Sequence, residues 1–160
     1  MAPRNFLRRS SFPILIASLL AFTLAGVCAA PMTPADPPRA LRGPMAKAFL
    51  TKKLAQWQKR MELDDWKVTL ELADKKVLRS GTLGNTHWDL SAKTARIRVL
   101  DASEYSATYD AAIRDMEFTL VHELVHLDFA SLPRDDESRK DEERAVNRMA
   151  NAMLRLERHE

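Results

Sequence analysis

Between residues 45 and 61, Met45, Phe49, Leu50, Leu54, Trp57 and Met61 recur at three- and four-residue intervals, the spacing of an amphipathic helix. The pattern then changes period. Trp66, Val68, Leu70 and Leu72 alternate with Lys67, Thr69 and Glu71, which predicts a half-buried strand. Gly81 to Leu90 reads as a turn returning into a second strand through Thr86 and Trp88, and Ala95 to Val99 alternates again as a third. From about Asp110, a candidate cap, Ala111, Ala112, Ile113, Met116, Leu120, Val121, Leu124, Val125 and Leu127 form a broad apolar stripe that ends at Leu132-Pro133. A last helix is expected over roughly Asp141 to Arg158, with Ala145, Val146, Met149, Ala150, Met153 and Leu156 on one face. The order is helix, small antiparallel sheet, helix, helix: one α+β domain over residues 45–160, large enough for a single core.

The first 44 residues follow different rules. Arg4, Arg8 and Arg9 precede an uncharged run from Phe12 to Val27, the layout of an export signal covering residues 1–29, with cleavage expected after Ala29. Pro13, Ser18, Thr23 and Gly26 interrupt that run and make it a poor permanent membrane span. Lipoprotein anchoring at Cys28 is disfavoured, because Val27 stands where a small residue is needed. Arg8-Arg9 hints at twin-arginine export, but the flanking residues fit that poorly. Residues 30–44, with five prolines, read as an extended linker. The expected location is therefore outside the cytoplasm, periplasmic or secreted; the competing reading is a cytoplasmic protein starting at Met45.

Removing the signal changes the charge argument. The chain holds 25 Lys+Arg against 22 Asp+Glu, and the three arginines of the signal account for the whole excess. Nucleic acid as a partner thus loses its compositional support. Cys28 is the only cysteine, so residues 30–160 can form no internal disulfide, thiolate metal site or cysteine nucleophile. Any metal there must be held by His, Asp or Glu.

Such a site is suggested inside the second apolar helix, where His122-Glu123-Leu124-Val125-His126 forms an HExxH. Residues four apart share a helix face, so His122 and His126 can aim two imidazoles at one Zn2+ ion. Glu123, one step round, is close enough to take a proton from a water on that ion. Two histidines and an acid amid Leu120, Val121 and Leu127 would be costly to bury without a partner. A catalytic zinc usually has three protein ligands and one open position. Asp128 lies two residues past His126 and points away, while Asp135, Asp136 and Glu137 fall in a polar loop. Glu142 and Glu143 open a helix whose apolar face must pack on something, and the motif helix is the obvious partner. Periodicity puts Glu142 nearer the middle of the stripe. Glu143, at its edge, has Asn147 one turn further on, an amide able to orient an imidazole from outside the ligand set. Both acids also suit the start of a helix, where the dipole favours negative charge.

With those residues in view, the chain resembles a minimal gluzincin, a zinc peptidase whose third ligand is a glutamate on the helix after HExxH. The likeness is carried by Leu120 to Leu127 and by Glu142-Glu143-Arg144-Ala145-Val146-Asn147-Arg148-Met149-Ala150. The chain is also similar to ImmA/IrrE-type peptidases, in a glutamate followed by Ala-Val-Asn and an apolar helix. In gluzincins a polar residue four past the ligand commonly supports the first histidine, so the resemblance implies Glu143 with Asn147, and Glu142 as the alternative ligand. It further implies a zincin-like fold, with a small twisted, mostly antiparallel sheet, an N-terminal helix, an HExxH active-site helix and a C-terminal ligand helix. One strand, Ala95 to Leu100 or the Thr82 to Leu90 segment, would receive an extended peptide or protein substrate by strand addition. A metzincin is excluded, because Phe129 and Leu132 occupy the positions where that family needs glycine and histidine.

The expected activity is zinc-dependent peptide hydrolysis with Glu123 as general base. Tyr105 and Tyr109 are candidate stabilisers of the tetrahedral oxyanion, although both also read as loop-packing residues. His87 reads as a strand surface residue, and His159 lies at a frayed terminus. Trp57, Trp66 and Trp88 read as packing residues. The competing function is a non-catalytic metal-binding or scaffold module of the cell envelope; Glu123 argues against it, since a pure binding site needs no base. Oligomeric state has no signature in the chain.

Overall fold

A computed structural model describes residues 35–133 and 138–159. The segment 1–29 read as an export signal, and loop residues Asp135, Asp136 and Glu137, lie outside the described residues.

The alternating segments form three strands, β1 (Lys67–Ala73), β2 (Gly84–Asp89) and β3 (Thr94–Leu100). Alternation gives β3 two unlike faces: Ala95, Ile97 and Val99 are buried, while Arg96 and Arg98 lie on the other side, where both pair with Glu71 of β1. That makes β3 the centre of the sheet, in the order β1-β3-β2. β2 pairs with it antiparallel through a short turn in which Asp89 accepts from the Ser91 and Ala92 backbone nitrogens. β1 pairs with it parallel, so the sheet is mixed where an antiparallel one was expected. Alternation reports which face of a strand is buried and is silent on its neighbour's direction.

Three α-helices complete the α+β domain: α1 (Arg39–Arg60), α2 (Tyr109–Asp128) and α3 (Ser138–Glu157). α1 buries Ala46, Leu50, Leu54 and Trp57, one stripe at helical spacing. It begins at Arg39, so the extended segment expected as far as Pro44 stops earlier. Pro44 sits inside the helix and costs it one backbone hydrogen bond. Tertiary contacts offset that cost. Arg39 and Arg42 donate to the Ser103 and Ala107 carbonyls, and Asp36 accepts from both Arg42 and the Tyr109 backbone nitrogen. Gly43 is buried against the Asp101 carboxylate, where a Cβ would come within 2.8 Å of an oxygen.

α2 is the spine of the domain. Its N-cap is Thr108, whose hydroxyl accepts from Ala111; Asp110, the residue expected there, lies within the helix and pairs with Arg114. Met116, Leu120, Val121, Leu124 and Val125 are wholly buried against α1, the sheet and α3. α3 contributes Val146, Ala150 and Leu154, spaced four apart, while Met149 and Leu156, expected on that stripe, are exposed. At one end the three helices are tied through charge. Lys53 of α1 lies 2.8 Å from Glu117 of α2 and 2.7 Å from Glu157 of α3. Among the described residues no helix is long and apolar enough to cross a membrane.

Candidate metal centre

The buried stripe of α2 carries the HExxH into a cleft of about 540 Å³, walled by α2, by β2 and the segment leading into it, and by the second and third turns of α3. His122 and His126 lie four residues apart on its edge, with rings 4.8 Å apart and nearly perpendicular. Their Nε2 atoms converge to 3.2 Å. Glu143 closes the group, one carboxylate oxygen 3.4 Å from His122 Nε2 and the other 3.3 Å from His126 Nε2. Two nitrogens and a carboxylate at such separations could hold one metal ion. Donors at the corners of a tetrahedron about 2.0–2.1 Å from its centre lie about 3.3 Å apart. The two imidazole nitrogens match that separation, while one ligand atom from each of the three residues lies within 4.8 Å of the others.

The two glutamates of α3 take different parts. Glu142 continues the Val146–Ala150–Leu154 line towards α2, and its side chain is 14 % exposed against 49 % for Glu143. It reaches behind the motif to His126 Nδ1 at 2.9 Å. An Nδ1–H donating to that carboxylate leaves the Nε2 lone pair aimed into the cleft, the tautomer a metal requires. Glu143, about 100° further round α3, faces the cleft itself. Neither acid lies in the first turn of α3, which begins at Ser138, so the helix dipole does not account for them.

Asn147 also lines the cleft beside His122, but its Nδ2 donates to the Glu143 backbone carbonyl at 2.8 Å. His122 Nδ1 is buried with no hydrogen-bond partner among the described residues. Glu142 makes a hydrogen bond that orients one imidazole of the pair, that of His126. Burial, and then the neighbouring His126, push the His122 pKa down, against Glu143 and Asn147; the net effect favours the neutral ring that can act as a ligand.

Glu123 points to the sheet side of the cleft and is 7 % exposed. Burial pushes its carboxyl pKa up, with Thr86 and His126 pulling the other way. β2 approaches this carboxylate closely, and Gly84 permits it. A Cβ at that position would meet Thr119 Cγ2 at 2.5 Å, the Arg98 carbonyl oxygen at 2.9 Å and Glu123 Oε1 at 3.1 Å. The backbone oxygen cannot swing aside. Gly84→Ala is accordingly expected to cost about 1–3 kcal/mol of stability, read as a lower midpoint in urea unfolding.

Neither candidate tyrosine lines the cleft. Tyr105 donates its hydroxyl to Asp115 at 2.9 Å, and burial together with that carboxylate pushes its pKa far up, as for a packing residue. Tyr109 opens α2, more than three turns before His122. His87 is exposed on β2, Trp57 and Trp66 are in the core, and Trp88 packs on it beside the cleft. Gly84, Thr119 and Arg79 carry no motif and yet line the cleft wall, as does Thr86, read from the sequence only as a strand residue. The pair of glycines in Gly81-Thr82-Leu83-Gly84 was the available signal for close backbone approach.

No protein family, curated protein or solved structure was found to match the chain.

Proposed function

We propose that this protein is an exported zinc-dependent peptidase of the gluzincin type, with a zincin-like fold, acting on peptide or protein substrates. The observation that carries the reading is the convergence of His122 Nε2, His126 Nε2 and Glu143 within 3.2–3.4 Å, on the helix face next to the buried Glu123. His122, His126 and Glu143 would hold the zinc, and Glu142 would fix the tautomer of His126. Zinc, when bound, supplies Lewis acidity and makes a water acidic enough to lose its proton near neutral pH.

The chain's own residues do the rest. Glu123, held in a poorly solvated corner, accepts the proton from the attacking water and returns it to the departing amine. Its raised pKa suits both tasks, since a base must also be able to give the proton back. β2 pairs with β3 along one edge and lines the cleft, so an extended substrate can add to it as a further strand; of the two segments considered, Thr82 to Leu90 is the one on the sheet's edge. A module that merely held metal would have no use for Glu123.

Metal removal tests this directly. Zinc-loaded protein is expected to cleave members of a mixed peptide library, detected by mass spectrometry. Cleavage should stop after dialysis against a chelator and return with about one equivalent of zinc. Hydrolysis that survives metal removal, or no hydrolysis by the zinc-loaded protein, overturns the reading.

A further inference from the structure

Beside the metal centre lies a second cavity between α2 and α3, of about 340 Å³. Asp115 and Phe118 line both spaces, so the two adjoin. The second is walled by Arg114 of α2 and by Arg155 and Arg158 at the end of α3. Arg114 is paired with Asp110, and Asp115 already accepts the Tyr105 hydroxyl. Arg155, in the last turn of α3, and Arg158, just past its end, both line the cavity and have no acidic partner among the described residues. Two guanidinium groups thus face a cavity without a carboxylate of their own, and guanidinium is the side chain best matched to a carboxylate in geometry and charge.

Spacing relates this cavity to the cleft. Arg114 precedes His122 by eight residues, about 12 Å along a helix. An extended peptide covers that distance in about four residues. We propose that the arginine pocket binds a carboxylate of a peptide lying along the groove, about four positions from the bond at the metal centre, so that the preferred substrates are acidic peptides. The position relative to the bond rests on the peptidase reading; the binding of a peptide carboxylate by Arg155 and Arg158 does not.

The test reads binding, and uses the full chain with Glu123→Gln so that nothing is cleaved. Three fluorescein-labelled decapeptides of alanine and serine are compared by anisotropy, with and without zinc. One is C-terminally amidated and carries Glu-Glu four residues from its centre. The second is amidated with Gln-Gln there, and the third has Gln-Gln and a free C-terminus. The Glu-Glu or the free-terminus peptide is expected to bind about tenfold or more tightly than amidated Gln-Gln. That advantage should disappear in Arg155→Gln/Arg158→Gln and weaken with added salt. Whichever acidic peptide gains identifies the carboxylate as side-chain or terminal. No advantage, or one that survives the double substitution with melting temperature unchanged, overturns the proposal and leaves the arginines as last-turn charges favoured by the α3 dipole. An arginine-dependent advantage without zinc binding would sustain the pocket while sinking the peptidase reading. Zinc-dependent hydrolysis by the wild-type protein, with no acidic advantage in binding to Glu123→Gln, would do the reverse.

Discussion

Glu123→Gln is expected to lower the rate of peptide hydrolysis by about 10²–10⁴-fold while leaving the zinc content of the protein unchanged. Gln keeps the shape of Glu123 and loses its basicity. The residue is not one of the three converging candidate ligands, so metal binding should not depend on its charge. Its surroundings also favour tolerance of the change. The carboxylate is buried with a raised pKa, and a neutral amide is cheaper to bury than an ion. Activity on a cleaved library peptide and zinc per chain, measured on one preparation, check both halves. Wild-type turnover in Glu123→Gln would mean that the proton is carried by another group.

Lys53→Met is expected to destabilise the fold by about 2–3 kcal/mol, on the order of 10 °C in melting temperature, without altering the metal ligands. Among the described residues Lys53 is the cation that pairs with both Glu117 and Glu157, and Gln56 shares the Glu157 oxygen at 2.7 Å. Removing it leaves two poorly solvated carboxylates near one another. The magnitude lies between an exposed ion pair and a wholly buried one, because Lys53 keeps 21 % of its side chain in water. Burial alone would lower the Lys53 pKa, but its bonds to Glu117 and Glu157 more than reverse that, and the net shift is upward. A raised pKa contributes stability that is present below about pH 10.5 and lost as pH rises through the folded value. Glu157 works in the opposite sense. Burial raises its pKa, Lys53, Gln56 and Arg60 outweigh that, and its net shift is downward. Its contribution is therefore present above about pH 4.5 and lost as pH falls through the folded value. Urea unfolding of wild type and Lys53→Met should show a gap that is widest between these limits and narrows towards either.

Much of this arrangement was legible in the chain, and the parts that were not share a cause. Two of the three strands, β1 and β3, could be placed from alternation at Trp66 to Leu72 and Ala95 to Val99, because one buried face imposes period two. The parallel pairing of β1 with β3 could not, since it depends on the route from Ala73 to Gly84 over the sheet. The start of α1 was hidden by Pro44, whose local cost is met by contacts with Ser103, Ala107 and Asp101 far along the sequence. His122 and His126 could be read because four-residue spacing guarantees a shared face. Glu142 and Glu143 were harder to separate. Adjacent helical residues differ by about 100°, and only the docking of α3 on α2 decides which one looks into the cleft and which reaches behind His126. Tyr105 shows the converse: a tyrosine near a motif in sequence invites a catalytic role, yet its hydroxyl is engaged by Asp115.

The most direct test of the central claim is zinc per chain, by mass spectrometry, in wild type, His122→Ala, Glu142→Ala and Glu143→Ala after reconstitution. The account predicts about one zinc in wild type and loss in His122→Ala and Glu143→Ala. Glu142→Ala should still fill at saturating zinc, with affinity reduced about 10–100-fold, because that carboxylate meets His126 Nδ1, on the far side of the ring from the converging Nε2 atoms. Wild-type protein that takes up no zinc, or zinc kept by Glu143→Ala and lost by Glu142→Ala, would contradict it.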